Sequence, residues 1–160
     1  MADEGGIIVT IDPSSPGIQK LIDMAKRLED KPKALAKLSL MMRSQVLENF
    51  KLGGRPAWAP WSERYRIMTL KEHKGKSHSL LKLTGALWKS IRPLSGTPAG
   101  VSAGGGSDAT GKPVNYAADH QFGSAAKHLP ARPYMMIPPE EMDKIAQSWL
   151  DWVAEGKAIG

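Results

Sequence analysis

Two amphipathic segments near the start of the chain constrain its fold most, because neither can bury its apolar stripe alone. The first has Ser15 as its N-cap and Pro16 in its first turn, and it runs to about Glu29. Asp30-Lys31-Pro32 separates it from the second, which ends at Gly53-Gly54. So short a link predicts an antiparallel αα-hairpin. The two stripes are Ile18, Leu21, Ile22, Ala25 and Leu28, followed by Leu35, Leu38, Met42, Val46 and Phe50.

Shorter elements are predicted along the rest of the chain. Three further helices are expected: Glu63–Glu72 capped by Ser62, Leu80–Ile91 with Gly85 inside it, and a last helix from Pro138 onward. Strands are predicted at Ile7–Ile11, Val101–Ala103 and Arg132–Ile137, while Val114–Ala117 fits either a strand or a helical turn.

These elements predict an α+β fold in one domain, residues 1–160. The expected architecture is an N-terminal helical hairpin, a small antiparallel sheet and a C-terminal helix. Composition rich in glycine and polar residues predicts flexible segments at 1–6, 73–79, 104–112 and 156–160.

The net charge of +6 is unevenly distributed along the chain. Residues 1–30 carry a balance of −3, residues 31–100 a balance of +11, and residues 101–160 a balance of −2. Three readings stay open. The basic middle can neutralise nucleic-acid phosphates, face the acidic ends of a neighbouring copy, or form a solvated surface.

Composition argues against several classes of protein. The chain has no cysteine, so disulfides and thiolate-bound metals are excluded. The acidic start, Met1-Ala2-Asp3-Glu4, is unlike a secretory signal, and no apolar run approaches the roughly 20 residues of a membrane span. We therefore expect a soluble protein without export signal, membrane contact, cofactor or metal.

Candidate catalytic residues have simpler structural explanations. Asp119, His120 and Ser124 contain the residue types of a hydrolytic trio, but neighbouring side chains point apart and no nucleophile-elbow pattern surrounds the serine. The tract Gly104–Gly111 lacks the ending of a phosphate-binding loop. Glu140-Glu141 suits the start of a helix. No enzymatic activity is predicted.

Trp58 and Trp61 lie in a loop stiffened by Pro56 and Pro60. Loop aromatics pack into the core, anchor a partner, or stack on a single nucleic-acid strand when basic groups are interleaved. The sequence leaves these three roles open.

Several short motifs follow one another along the chain. They are Asn49-Phe50, Trp58-Ala59-Pro60-Trp61, Leu83-Thr84-Gly85 with Leu87 and Ser90-Ile91, Tyr116-Ala117, His120-Gln121-Phe122-Gly123 and Ala131-Arg132-Pro133-Tyr134. In their order and spacing they resemble the phage virion morphogenesis family, which contains the tail completion proteins of Mu-like and related tailed phages. Tyr134 and Met135-Met136 depart from the phenylalanine and leucine-glycine usual in that family.

The resemblance implies a structural protein of the virion tail or neck, assembled in the host cytoplasm. Such proteins form rings, most often sixfold, that cap the tail tube and allow a filled head to join. The implied partners are copies of the chain, tail-tube subunits and head–tail connector subunits. A basic nucleic-acid binder that contacts genome DNA, for example in the ring lumen, is the alternative.

The resemblance also selects candidate interface or structural residues. We expect Arg132 to lie between Pro133 and a turn formed by His120-Gln121-Phe122-Gly123, and to be held by hydrogen bonds to backbone carbonyls or an acid. The tracts 73–79 and 104–111 are expected to order only against tail or connector subunits. The candidates are Trp58, Trp61, His120, Gln121, Phe122, Gly123, Arg132, Pro133 and Tyr134.

Overall fold

The computed structural model describes residues 14–72, 79–95, 98–108 and 111–160. The predicted strand Ile7–Ile11 and residues 73–78 lie outside the described part. In chain order, the elements are α1 (Pro16–Glu29), α2 (Lys31–Leu52), α3 (Glu63–Glu72), α4 (Ala86–Lys89), β1 (Arg92–Pro93), β2 (Val101–Ser102), α5 (Ala117–Phe122) and α6 (Pro139–Glu155). The predicted α+β class, with its small antiparallel sheet and C-terminal helix, is confirmed.

The ends of the first three helices follow the local signals in the sequence. Ser15 is the N-cap of α1 with Pro16 at the first helical position, although its side chain makes no capping hydrogen bond. Gly53 ends α2 in the left-handed conformation, with φ 77°, which glycine adopts without steric penalty. Ser62 caps α3, since its Oγ accepts a hydrogen bond from the Tyr65 amide at 3.3 Å.

The two N-terminal helices pack differently from the expected hairpin. Both α1 and α2 have α6 as their main helical neighbour. Arg27 of α1 strengthens this arrangement because its Nη1 donates to the Val153 carbonyl of α6 at 2.6 Å. Helix α6 therefore lies against both N-terminal helices, although no residue of α1 is buried and Leu21 and Leu28 of its predicted stripe are exposed.

The small sheet joins α2 through polar contacts as well as apolar ones. β1 and β2 are antiparallel, with Arg92 opposite Ser102 and Pro93 opposite Val101. On α2, Arg43 donates from Nε to the Ile91 carbonyl at 2.9 Å, and Ser39 Oγ accepts from the Gly100 amide at 3.0 Å. The predicted strand at Val101 is confirmed, and its partner β1 was not predicted.

Only part of the predicted helix Leu80–Ile91 is helical. Leu81 and Gly85 have φ of 62° and 73°, so the backbone turns before α4 begins at Ala86. Gly85 caps α4 rather than lying inside a helix, and a Cβ there would meet nothing within 4 Å. The apolar residues Leu87 and Ile91 are still buried, so their spacing reflects the core and not one continuous helix.

Two segments near the end of the chain also differ from prediction. Residues 132–137 form no strand, because Pro133 lacks an amide donor and side chains bond the carbonyls on either side of Met135. The motif from His120 to Phe122 belongs to helix α5, which stops at Gly123, rather than to a turn.

Two apolar clusters form the interior of the described residues. The end of the chain contributes to the smaller one, since Ile159 is buried there against α2 and α6. Ile137 packs against both clusters. The larger cluster contains Val46, Phe50, Trp58, Ala86, Leu87, Ile91, Val114, Ala117 and Tyr134, and the smaller contains Ala34, Leu38, Ile145 and Ile159.

Among the described helices, none combines the length and the apolar character that crossing a membrane requires.

Candidate functional site

The loop that carries Trp58 folds back onto the end of α2. Gly54 has φ 102°, and a Cβ at this position would collide with the Trp58 ring and the Pro56 carbonyl. The Trp58 amide donates to the Gly53 carbonyl at 2.8 Å, and its buried ring packs edge-on against Phe50 at 5.4 Å. The two glycines that end α2 thus let the chain turn back, so that the Trp58 indole packs in the core.

Arg132 is a buried cation that joins this loop to α5. Its side chain is almost inaccessible, with the residue 3% exposed. Nε donates to the Ala59 carbonyl at 2.8 Å and Nη2 to the Pro60 carbonyl at 3.0 Å, while its amide donates to the His120 carbonyl at 2.7 Å. Burial lowers the pKa of Arg132 from its ordinary value. The expectation that backbone carbonyls hold this arginine is confirmed.

Asn49 of α2 makes the matching contact with the chain after Arg132. Its fully buried Nδ2 donates to the Tyr134 carbonyl at 2.9 Å and to the Met136 carbonyl at 2.6 Å. Its Oδ1 accepts from Arg55 Nε at 2.8 Å. We call Asn49, Trp58, Arg132 and Tyr134 the Arg132 cluster.

Sequence reasoning noted Asn49 as part of a motif and did not select it as a site residue. The sequence did contain a signal for Asn49. It lies in the apolar stripe between Val46 and Phe50, and a buried side-chain amide must find hydrogen-bond partners. Gln45 extends the contacts, since its side-chain oxygen accepts from Arg55 Nη1 at 3.2 Å and its Nε2 donates to Glu141 of α6 at 3.1 Å.

Tyr134 anchors α5 from inside the core. Its hydroxyl donates to the Ala117 carbonyl at 3.1 Å, and its ring lies 5.5 Å from the ring of Phe50. Burial raises the pKa of Tyr134 to about 12, because the phenolate would lose its hydration. This residue is therefore neutral at physiological pH.

The other motif residues on α5 and just after it support the same segment. Gln121 Oε1 accepts from the Met135 amide at 3.0 Å. Gly123 has φ 79°, and a Cβ there would lie 2.9 Å from the Ala131 nitrogen, so glycine is required for the close approach of these two chain segments. Pro133 supplies the carbonyl that accepts from Trp58 Nε1 at 3.4 Å.

Among the described residues, Asp119 does not hydrogen-bond to His120 Nδ1, as the aspartate of a hydrolytic trio would. The carboxylate of Asp119 lies 2.5 Å from Lys127 Nζ, and the buried Nδ1 of His120 has no hydrogen-bond partner within the described chain. Burial first, and then the Arg132 charge, lower the pKa of His120, so the ring is neutral and packs against Tyr116. In the described ranges no cluster of histidine and acidic residues is suited to hold a metal ion.

An open groove of about 680 Å³ lies between α3 and the body of the protein. We call it the α3 groove. Trp61 is half-buried at one end, with its ring 5.5 Å from that of Tyr65. Arg64, Lys127 and His128 line the groove beside Asp108, and Arg132 contributes to its wall. Its apolar lining includes Trp61, Tyr65, Met68, Leu81, Leu83 and Leu87.

Phe122 stands apart from the other eight candidate residues. Its side chain projects into solvent, with the residue 79% exposed, the highest value among the large apolar residues in the described ranges. The structure thus brings Trp58, Arg132, Pro133 and Tyr134 together, supports them with His120, Gln121 and Gly123, and places Trp61 in the α3 groove. Phe122 alone contributes nothing to the interior.

In the comparison with known protein families, a sequence profile of the phage virion morphogenesis family aligns with residues 17–154 of the 160-residue chain. This range contains every residue of the Arg132 cluster and the α3 groove. Searches of curated proteins and of solved structures gave no significant match.

The Arg132→Lys variant should be less stable than the native protein by about 1–3 kcal/mol. A lysine keeps the charge but cannot satisfy the Ala59 and Pro60 carbonyls with the paired geometry of a guanidinium. Urea unfolding followed by tryptophan fluorescence measures the difference. Arg64→Lys, on the exposed face of α3, is the matched control and should change stability by less than about 0.5 kcal/mol. Equal stabilities of the two variants would contradict the role given to Arg132.

Tyr134 should make the stability of the protein fall in alkaline solution. The pKa of Tyr134 in the folded protein, about 12, exceeds the ordinary value of 10.0. Its contribution to the free energy of unfolding is therefore complete below pH 10.0 and is lost as the pH rises through 12. At about pH 11 the native protein should have lost about 1.4 kcal/mol relative to Tyr134→Phe, which has no group to ionise. Urea unfolding of both proteins between pH 8 and about 11 measures this difference, and a constant difference would contradict it.

Proposed function

Since the chain belongs to the phage virion morphogenesis family, we propose that it completes the phage tail by forming a ring at the head–tail junction. The ring caps the finished tail tube and makes the tail competent to join a filled head. The protein is then a component of the virion neck, assembled in the host cytoplasm. Its role is to present surfaces to other subunits, with no bond made or broken.

This proposal rests on the contacts that the motif residues make in the structure. Apart from Phe122, Trp61 and His120, the candidate residues take part in buried contacts that connect α2, α5 and the segment after Arg132. Polar groups that serve as scaffold are not available to a substrate. The features left for recognition are an open groove and exposed apolar side chains, which suit protein partners.

The distribution of charge supports a ring of identical subunits. In a ring, one surface of each copy meets a different surface of the next. The basic block at residues 31–100 and the acidic blocks on either side give one chain segments of unlike charge, which can attract each other between copies. A sixfold ring would match the symmetry of the tail, and tail-tube and connector subunits would contact its two faces.

Inactivation of the gene for this chain in its phage should leave filled heads and separate tails. Purified protein added to such an extract should restore joined, infective particles, as seen by negative-stain electron microscopy and plaque counts. Restoration should be equal with Leu52→Ala, a change at an exposed position of α2. Joined and infective particles formed without the protein would contradict the proposal. Tails of irregular length would assign it to tail termination rather than to the head side.

Contact with genome DNA is the second candidate function, and the balance of +11 over residues 31–100 favours it. Each phosphate neutralised should make log K fall with log salt by about 0.9. Replacing the exposed Lys71 of α3 with glutamine should reduce that slope by about 1, whereas Lys144→Gln in the acidic block should not. Fluorescence anisotropy with labelled duplex DNA measures the slope, and an affinity insensitive to salt would contradict DNA binding.

A further inference from the structure

Phe122 and the α3 groove lie on different sides of helix α5. Tyr116 and His120 both line the groove, and their four-residue separation places them on one face of the helix. Phe122 follows His120 by two positions, which is about 200° around the helix axis. Phe122 therefore points away from the groove of its own chain.

The two features are complementary in chemistry. Phe122 presents an aromatic ring to solvent, and the α3 groove offers Leu83, Leu87 and Met68 as apolar walls. Its volume of about 680 Å³ leaves ample room for one aromatic side chain. Ala118, one turn before Phe122 and also exposed, has a small side chain that lets another surface approach closely.

The groove also carries cations beside its apolar lining. Arg64 and Lys127 line it, with Asp108 as the single acid among its described residues. The face of an aromatic ring attracts cations, so the groove of one copy suits the Phe122 ring of another.

We propose that Phe122 of one copy inserts into the α3 groove of the next copy and so forms the repeating contact of the ring. The occupant is a second copy of this chain, because the aromatic knob and its groove occur on the same molecule and cannot meet within it. Such a contact is heterologous, and repetition closes it into a ring. The inference rests on the ring in the proposed function and identifies the residues that build it.

Sedimentation velocity tests the contact on the full-length chain. Phe122→Ala should weaken self-association by at least about 30-fold, as expected for an aromatic residue that fills a pocket. Met68→Lys, which places a charge on the exposed groove wall, should have the same effect. Leu52→Ala and Leu150→Ala remove exposed leucines outside the groove and should leave association unchanged.

Mixing the two defective variants tests the direction of the contact. Phe122→Ala retains a groove, and Met68→Lys retains a knob, so the mixture should form 1:1 dimers that grow no further. Assembly confined to each variant separately, or none in the mixture, would overturn the proposal.

Crosslinking gives an independent measurement that does not require stable rings. The native chain has no cysteine, so Ala118→Cys beside Phe122 on one copy and Arg64→Cys in the groove of another are the sole thiols in a mixture, and the Phe122 ring is kept. A short bismaleimide should join them into a heterodimer, and the pair Leu52→Cys with Arg64→Cys should give only background. Equal yields from the two pairs would overturn the contact.

The results separate this contact from the tail-completion role. Rings that persist in Phe122→Ala overturn the contact, and if such rings also fail to join heads, Phe122 instead faces a different virion protein. Heads and tails that join although the Phe122→Ala ring is lost would leave the contact standing and contradict the ring as the agent of joining.

Discussion

The fold depends on the hydrogen-bond donors that it supplies to backbone carbonyls in two irregular segments, which meet in the core. Prolines at 56, 60, 130 and 133 remove amide donors from these segments and prevent them from pairing as strands. Their buried carbonyls still need partners. Side chains supply them: the Arg132 guanidinium bonds Ala59 and Pro60, and the Asn49 amide bonds Tyr134 and Met136. Two polar side chains thus supply the hydrogen bonds that a neighbouring strand would provide in a sheet.

Local signals in the sequence predicted the helices that their own residues define. Gly53 ends α2 because it adopts a left-handed conformation, and Ser62 begins α3 because its hydroxyl bonds the first turn. Apolar spacing was misleading between Leu80 and Ile91. The apolar residues of that region pack into the larger core, so they show helical spacing although only Ala86–Lys89 form a helix.

The sequence predicted which residues belong to the candidate site better than it predicted what each of them does. The expectation for Arg132 was right because a buried guanidinium beside proline-rich chain must find carbonyls. The strand at 132–137 was wrong because Asn49, 83 residues earlier than Arg132, bonds the carbonyls that a neighbouring strand would have used. Periodicity within a segment cannot reveal a partner so distant. Nor did the motif distinguish buried Arg132 from exposed Phe122, since both follow from tertiary packing.

This scaffold explains how a small chain can serve assembly. The Arg132 cluster joins α2, the Trp58 loop and α5, so the α3 groove is formed on a framework bound together from inside. Phe122 is then held in solvent at the end of α5 by the Gly123 contact with Ala131. A backbone held in place beneath the groove and beneath Phe122 suits the proposed contact between copies, because less conformational freedom is then lost on association.

Amide hydrogen exchange tests most directly whether the Arg132 cluster makes these segments one cooperative unit. The Trp58 amide bonds Gly53 and the Arg132 amide bonds His120, both outside any regular helix or strand. The account predicts that both exchange only through global unfolding, with the same protection as Val46 in the middle of α2. Exchange of either amide through local opening, far faster than that of Val46, would contradict it.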